Sequence, residues 1–239
     1  MADEKMIDRI AALLELAKDK RTPEHEAQAA GRMAEKLMIR HAIDVTVLAA
    51  RGGQVVEEEI VQARVELPSP YAKEKGFLLA AVARYIQCKT VLDTSNGWRQ
   101  GAGAWLHGYE SDVRRTQMLY ASLVAQAMRG LLGQQARIGE DVATFRSSWL
   151  LGFTAEVAAR LKVAHDEGVA EIEGNGERAA LAVADRTSRV LAFVTNLYPE
   201  TKPVSIRSSG SGRAAGRRAG RTADLGQPRV QEANQKSLT

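Results

Sequence analysis

The sequence has few of the residues that build disulfide frameworks, cysteine-ligated metal sites and membrane spans. It contains one cysteine, Cys88, and four histidines among 239 residues. A single cysteine excludes an internal disulfide and a cysteine-based zinc cage, and it is typical of a cytoplasmic protein. No run of about 18 apolar residues is present, and the charged N-terminal segment does not resemble a signal peptide. We therefore expect a cytoplasmic protein without a membrane span.

Catalytic signatures are also scarce. The P-loop pattern Gly-x4-Gly-Lys-Ser/Thr is absent, and Gly101-Ala-Gly103 lacks the third glycine of a dinucleotide fingerprint. The Gly-x-Ser-x-Gly elbow of serine hydrolases is absent as well. These absences favour a non-enzymatic protein with no cofactor.

One short segment keeps metal chemistry open as an alternative. His107, Glu110 and Asp112 lie within six residues at the end of a predicted strand. Together with a ligand from elsewhere in the chain, they could bind a divalent ion. The simpler interpretation is a helix-capping cluster beside a half-buried histidine. We assign no metal site, and a metal-dependent hydrolase that uses the His107 region remains the weaker alternative.

The charge of the chain is unevenly distributed. Residues 201–239 contain eight Lys or Arg and two acidic residues, whereas the whole chain carries a formal net charge of +4. The first 200 residues are therefore net negative by two charges. The basic character belongs to the C-terminal segment, so we look for a polyanionic partner there.

Five arginines in this segment are separated mainly by Gly, Ser and Ala. They are Arg207, Arg213, Arg217, Arg218 and Arg221. With almost no large apolar side chain, the segment is expected to be a disordered arm, because burial cannot offset the entropy of ordering it. A chain ending at Glu200 should then fold unchanged. Guanidinium groups form bidentate hydrogen bonds to phosphate, so these arginines predict nucleic-acid binding without sequence readout.

The strongest apolar pattern lies between residues 145 and 164. Large apolar side chains recur there at every fourth position, which places them on one face of a helix at the centre of the core. They are Phe145, Trp149, Phe153, Val157 and Leu161. A neighbouring row of small side chains would allow a second helix to approach closely. Its members are Ser148, Gly152, Ala155 and Ala159.

We predict an α+β fold that is mostly helical. Residues 1–43 are expected to form a helical hairpin domain, residues 44–199 an α+β domain, and residues 200–239 the disordered basic tail. The α+β domain should contain a small antiparallel sheet, with one or two strands within residues 43–67. Lys89–Asp93 and Ala104–Gly108 should pair as a hairpin, and the C-terminal half of the domain should be helical.

Two stretches resemble a known family. The hairpin segments Ile10-Ala-Ala-Leu-Leu, Pro23-Glu-His-Glu-Ala and Ala34-Glu-Lys-Leu-Met-Ile-Arg-His-Ala-Ile43 are similar to the DUF2786 domain of bacterial and phage proteins. Gly108-Tyr-Glu-Ser-Asp112 and Ser148-Trp-Leu-Leu-Gly-Phe153 resemble the domain that usually follows it. The function of this family is not established, so the resemblance implies a fold and, as biological context, a phage or mobile element.

The favoured function is that of a nucleic-acid-binding accessory protein, directed to the phosphate backbone by the basic tail. A third alternative, besides the hydrolase, is a structural protein–protein interaction module. In that case the small-residue helix faces would mediate self-association.

Overall fold

The computed structural model describes residues 2–19, 21–41, 58–95, 97–98, 102–174 and 177–225. These residues form two compact units, one within residues 2–41 and the other within residues 58–225. The prediction of a mostly helical α+β fold with a small antiparallel sheet is confirmed. One strand, Ile60–Leu67, lies within residues 43–67, where one or two were expected, and residues 43–57 lie outside the described residues.

The first unit is the predicted helical hairpin. Helix α1 spans Ala2–Lys18 and helix α2 spans Glu24–His41. Small and aliphatic side chains line the contact between them, and Ile10, Ala30, Ala34 and Leu37 are buried. Alanines at this spacing allow the helices to pack closely.

The second unit contains every other helix and strand of the described residues. In chain order these are β1 (Ile60–Leu67), α3 (Ala72–Tyr85), β2 (Lys89–Asp93), β3 (Ala102–Tyr109), α4 (Glu110–Leu132), α5 (Val142–Gly174), α6 (Glu177–Leu197) and α7 (Arg213–Thr222). The sheet is antiparallel with the order β1-β3-β2, and the β2–β3 pair is the predicted hairpin. All positions of the central strand β3 except Trp105 are buried.

Helix α5 lies at the centre of this unit. All five members of its large apolar row are buried, at 0–8% exposure. The rings of Trp149 and Phe153 stack nearly parallel with centroids 5.7 Å apart. The prediction that this row forms the core is therefore confirmed. In the adjacent small-residue row, Ser148 and Gly152 are buried under another helix, whereas Ala155 and Ala159 are exposed.

The helix that covers Ser148 and Gly152 is α7, which lies in the segment expected to be disordered. The disorder prediction is wrong for Arg213–Thr222, and Ala223 and Leu225 are buried in the same core as Trp149. Close backbone approach, rather than large apolar side chains, supplies the contacts that offset the ordering entropy. Residues 226–239 of the expected tail lie outside the described residues.

Candidate nucleic-acid interface

Helix α7 has two chemically distinct faces. Gly216 and Gly220 are buried, and they follow Gly212 at four-residue spacing. The opposite face holds the exposed side chains of four arginines, which are Arg213, Arg217, Arg218 and Arg221. The helix contains no acidic residue. Because residues four apart lie on the same side of a helix, the arginines form one continuous cationic surface. We call these four residues the arginine face.

The glycine row fixes this helix directly against the backbone of α5. A Cβ atom on Gly212 would lie 2.5 Å from the carbonyl oxygen of Phe145, and one on Gly220 would lie 2.7 Å from Cβ of Glu156. At Gly216 a Cβ atom would meet the carbonyl oxygen of Trp149 at still shorter range. No other residue type fits without moving one of the helices. The arginine face is therefore carried by a helix with a defined position.

Polar contacts secure both ends of α7. At its N-terminus the amide of Gly212 donates to Ser148 Oγ at 2.9 Å, and the amide of Ser211 donates to Glu140 Oε1 at 2.7 Å. At its C-terminus Arg160 donates to the carbonyl oxygens of Gly220 and Ala223, at 2.8 and 2.6 Å. A guanidinium at this end also interacts favourably with the negative pole of the helix dipole.

The structure brings four of the five predicted arginines together. The fifth, Arg207, lies in the segment that precedes α7 and is exposed. The residues missed by the sequence analysis are the glycines that hold the helix, although Gly212-x3-Gly216-x3-Gly220 was visible as a signal. Glycine at four-residue spacing is typical of close helix packing, but in a Ser- and Arg-rich segment the same residues also predict flexibility.

The three metal-ligand candidates are not assembled into a site. Glu110 is exposed and pairs with Arg114 across one helical turn at 3.3 Å. Asp112 is fully buried and forms ion pairs with two arginines. Among the described residues no group of three or more His, Cys, Asp or Glu side chains is arranged to hold a metal ion.

Asp112 instead belongs to a buried ionic network. It accepts from Arg115 and from Arg186, the latter at 3.1 Å, and Arg186 also contacts Glu58 at 3.2 Å. The guanidinium of Arg186 lies 3.8 Å from the ring centroid of Tyr109. Breaking one partner of such a network leaves a buried charge uncompensated, which is strongly destabilising. The Gly108–Asp112 motif thus links α6 to the start of α4.

His107 is fully buried beneath α6. Its ring lies 5.3 Å from that of Tyr198 in an edge-on arrangement and 6.1 Å from that of Phe193. Neither ring nitrogen has a hydrogen-bond partner of good geometry in the described structure. Burial lowers the pKa of His107 below 6.5, and this outweighs the opposing effect of the backbone groups of Lys89 and Trp105. The side chain is a neutral packing residue at neutral pH.

This burial predicts a pH-dependent stability. Below about pH 6.5 the unfolded chain protonates His107 while the folded chain does not, so the free energy of unfolding decreases as the pH falls through that range. His107→Phe should flatten this dependence between pH 6.5 and the lowered pKa, as measured by urea unfolding across a pH series. The matched control is His25→Gln at an exposed position of α2. An unchanged slope in His107→Phe would contradict the prediction.

Comparison with known families bears on the hairpin. Residues 5–45 match the model of DUF2786, which is described as a protein of unknown function. The match confirms the resemblance of the hairpin, and the likeness of residues 108–153 to a companion domain stays a prediction. No curated protein and no solved structure matches the chain. Of the helices in the described ranges, none has both the length and the apolar composition needed to cross a bilayer.

Proposed function

We propose that this protein is a nucleic-acid-binding accessory protein that contacts the phosphate backbone through the arginine face of α7. The observation that carries the proposal is the exposure of four arginines on one short helix that contains no acid. Arginine suits this role because its planar guanidinium donates two parallel hydrogen bonds to phosphate oxygens. Binding of this kind is independent of base sequence.

The geometry of α7 matches a linear polyanion. Arg213, Arg217 and Arg221 succeed one another at four-residue intervals, which corresponds to about 6 Å of helix rise per step. Successive phosphates along a nucleic-acid strand have a comparable separation. Because the glycine row holds the helix on α5, its backbone is already ordered before binding, and less conformational entropy is lost than with a flexible arm.

Competing intramolecular contacts on this face are weak. Arg221 is paired with Glu156 at 3.3 Å, and its side chain is largely exposed. Surface pairs of this kind contribute little to stability and are screened by salt, so a phosphate can replace the carboxylate. The other members of the arginine face have no carboxylate partner among the described residues.

Simultaneous replacement of the four arginines by glutamine tests the proposal. The affinity of the wild type for a DNA duplex should decrease as the salt concentration rises. The logarithm of the binding constant should fall against the logarithm of the salt concentration with a slope of about −3.6, at about −0.9 per neutralised phosphate. The quadruple variant should lose most of this slope and most of its affinity at low salt, while its unfolding curve is unchanged. Fluorescence anisotropy with labelled DNA and RNA duplexes of two unrelated sequences measures both effects.

The matched control removes the same number of charges from exposed positions elsewhere in the body. Arg84, Arg129, Arg137 and Arg189 are suitable because all are exposed and lie outside α7. This control should retain the salt slope of the wild type. Equal losses in both variants would show that net charge alone governs binding, and full retention of binding in the first variant would refute the proposed interface.

A further inference from the structure

An open cleft of about 850 Å³ lies beside the N-terminal end of α7. It is bounded by the start of α3, the start of α5 and the segment 207–209 that leads into α7. The lining residues with binding chemistry are Tyr71, Lys73, Trp98, Thr144, Arg207 and Ser209. This volume is within the range of about 300–1,000 Å³ found for small-molecule sites in proteins.

The cleft combines aromatic surface with cations. Lys73 and Arg207 have no ion pair or hydrogen bond among the described residues. Glu74, the one carboxylate among the described lining residues, accepts a hydrogen bond from Ser147 at 2.5 Å and is thereby held against α5. Trp98 is half-buried and supplies an aromatic wall. Aromatic surface next to two unpaired cations is the chemistry that recognises a base joined to a phosphate.

The cleft adjoins the arginine face through a short, tightly packed connection. A Cβ atom on Gly210 would meet the carbonyl oxygen of Thr144, a residue of the cleft wall. Two residues further on, the amide of Gly212 donates a hydrogen bond to Ser148, which lies on α5 as Thr144 does. Arg207 lines the cleft, and the arginine face begins six residues later at Arg213.

We propose that the cleft receives an unpaired nucleotide of a single strand whose backbone follows the arginine face. This inference rests on the proposed function and specifies its substrate. Trp98 stacks on the base, while Lys73 and Arg207 bind the adjoining phosphates. A base held in a duplex is stacked between its neighbours and cannot enter the cleft, so single strands bind through both surfaces and duplexes through the arginine face alone.

The double variant Lys73→Gln/Arg207→Gln tests the cleft separately from α7. Its affinity for a labelled oligothymidylate should depend less on salt than that of the wild type, with the log–log slope reduced by about 1.4 for two contacts at about −0.7 each. Its affinity for a blunt duplex of the same length should be unchanged. Arg84→Gln/Arg189→Gln, at two exposed positions outside the cleft, is the charge-matched control and should alter neither slope.

A second variant tests stacking. Trp98→Leu should lower the affinity for the oligothymidylate about tenfold without affecting the duplex. Because Trp98 also packs against the core, its unfolding curve is measured in parallel. If this variant fails to fold, the charge variant decides the question, because Lys73 and Arg207 have no ion pair or hydrogen bond with the described residues.

The outcomes separate the two proposals. Unchanged oligothymidylate binding in Lys73→Gln/Arg207→Gln would overturn the cleft and leave the arginine face intact. A different result would refute the proposed function instead. In that case Lys73→Gln/Arg207→Gln loses affinity for the oligothymidylate, while the quadruple arginine-face variant retains full affinity for the duplex. Binding of thymidine monophosphate is measured last. If it binds as tightly as the oligonucleotide and its binding requires Lys73 and Arg207, the occupant is a free nucleotide and the assignment to a strand is wrong.

Discussion

A chain ending at Glu200 is expected to be strongly destabilised. The deletion removes α7 together with the buried residues Ala223 and Leu225, and it uncovers Ser148, Gly152 and the adjoining backbone of Trp149 and Phe153 on α5. We expect the free energy of unfolding to fall by at least about 2–5 kcal/mol, the usual cost of removing one buried leucine side chain, because Leu225 is lost from the core. The free energy of unfolding of a typical domain is only about 5–15 kcal/mol, so a loss of this size is severe. Urea unfolding followed by circular dichroism measures it.

This result would reverse the expectation from the sequence that such a chain folds unchanged. The matched control is a chain ending at Leu225, which retains all described contacts of α7 and should unfold at the wild-type midpoint. A Glu200 chain with an unchanged midpoint would show that α7 contributes nothing to the fold, and the ordered arginine face would then have no basis.

A pair of point variants tests the packing of α7 on α5 without shortening the chain. Gly216→Leu places a side chain against the carbonyl oxygen of Trp149, so α7 must move away from α5. Overpacking of this kind costs about 1–3 kcal/mol. Ala214→Leu adds the same side chain at an exposed position of the same helix and should be nearly neutral. Equal stability of the two variants would contradict the close packing of the helices.

Trp149→Ala is expected to reduce the free energy of unfolding by about 3–5 kcal/mol, because both the transfer energy of the ring and its packing are lost. The indole is 1% exposed, stacks on Phe153 and fits against Gly130, where an added Cβ would lie 3.0 Å from the ring. The denaturant midpoint should shift accordingly, with an unchanged m-value.

The same substitution at Trp105 provides the comparison. Trp105 is the one incompletely buried position of β3, and its ring faces the guanidinium of Arg64 at 5.2 Å. Its removal should cost clearly less than that of Trp149, because less apolar surface is returned to water. A midpoint for Trp149→Ala that equals or exceeds that of Trp105→Ala would show that α5 is not the centre of the core.

Composition alone identifies the arginines of the candidate interface but not their arrangement. The five arginines could be selected from the sequence because charge and residue type are local properties. Their arrangement could not be, since it depends on whether the glycines between them find a backbone to pack against. The same limit applies to Asp112, whose partner Arg186 lies 74 residues away in the chain.

Periodic patterns determined the local elements of this protein. The four-residue row from Phe145 to Leu161 specifies a buried helix, and the β-branched segment Lys89–Asp93 specifies a strand, because both signals follow from backbone geometry within a few residues. For Arg213–Thr222, only the tertiary structure determined that the segment is an ordered helix. A helix with no apolar side chain larger than alanine becomes ordered only when a groove of matching shape is present, and that groove is formed by Ser148 and Gly152 on α5. The sequence contained both surfaces, but the free energy of their contact exists only once the chain has brought them together.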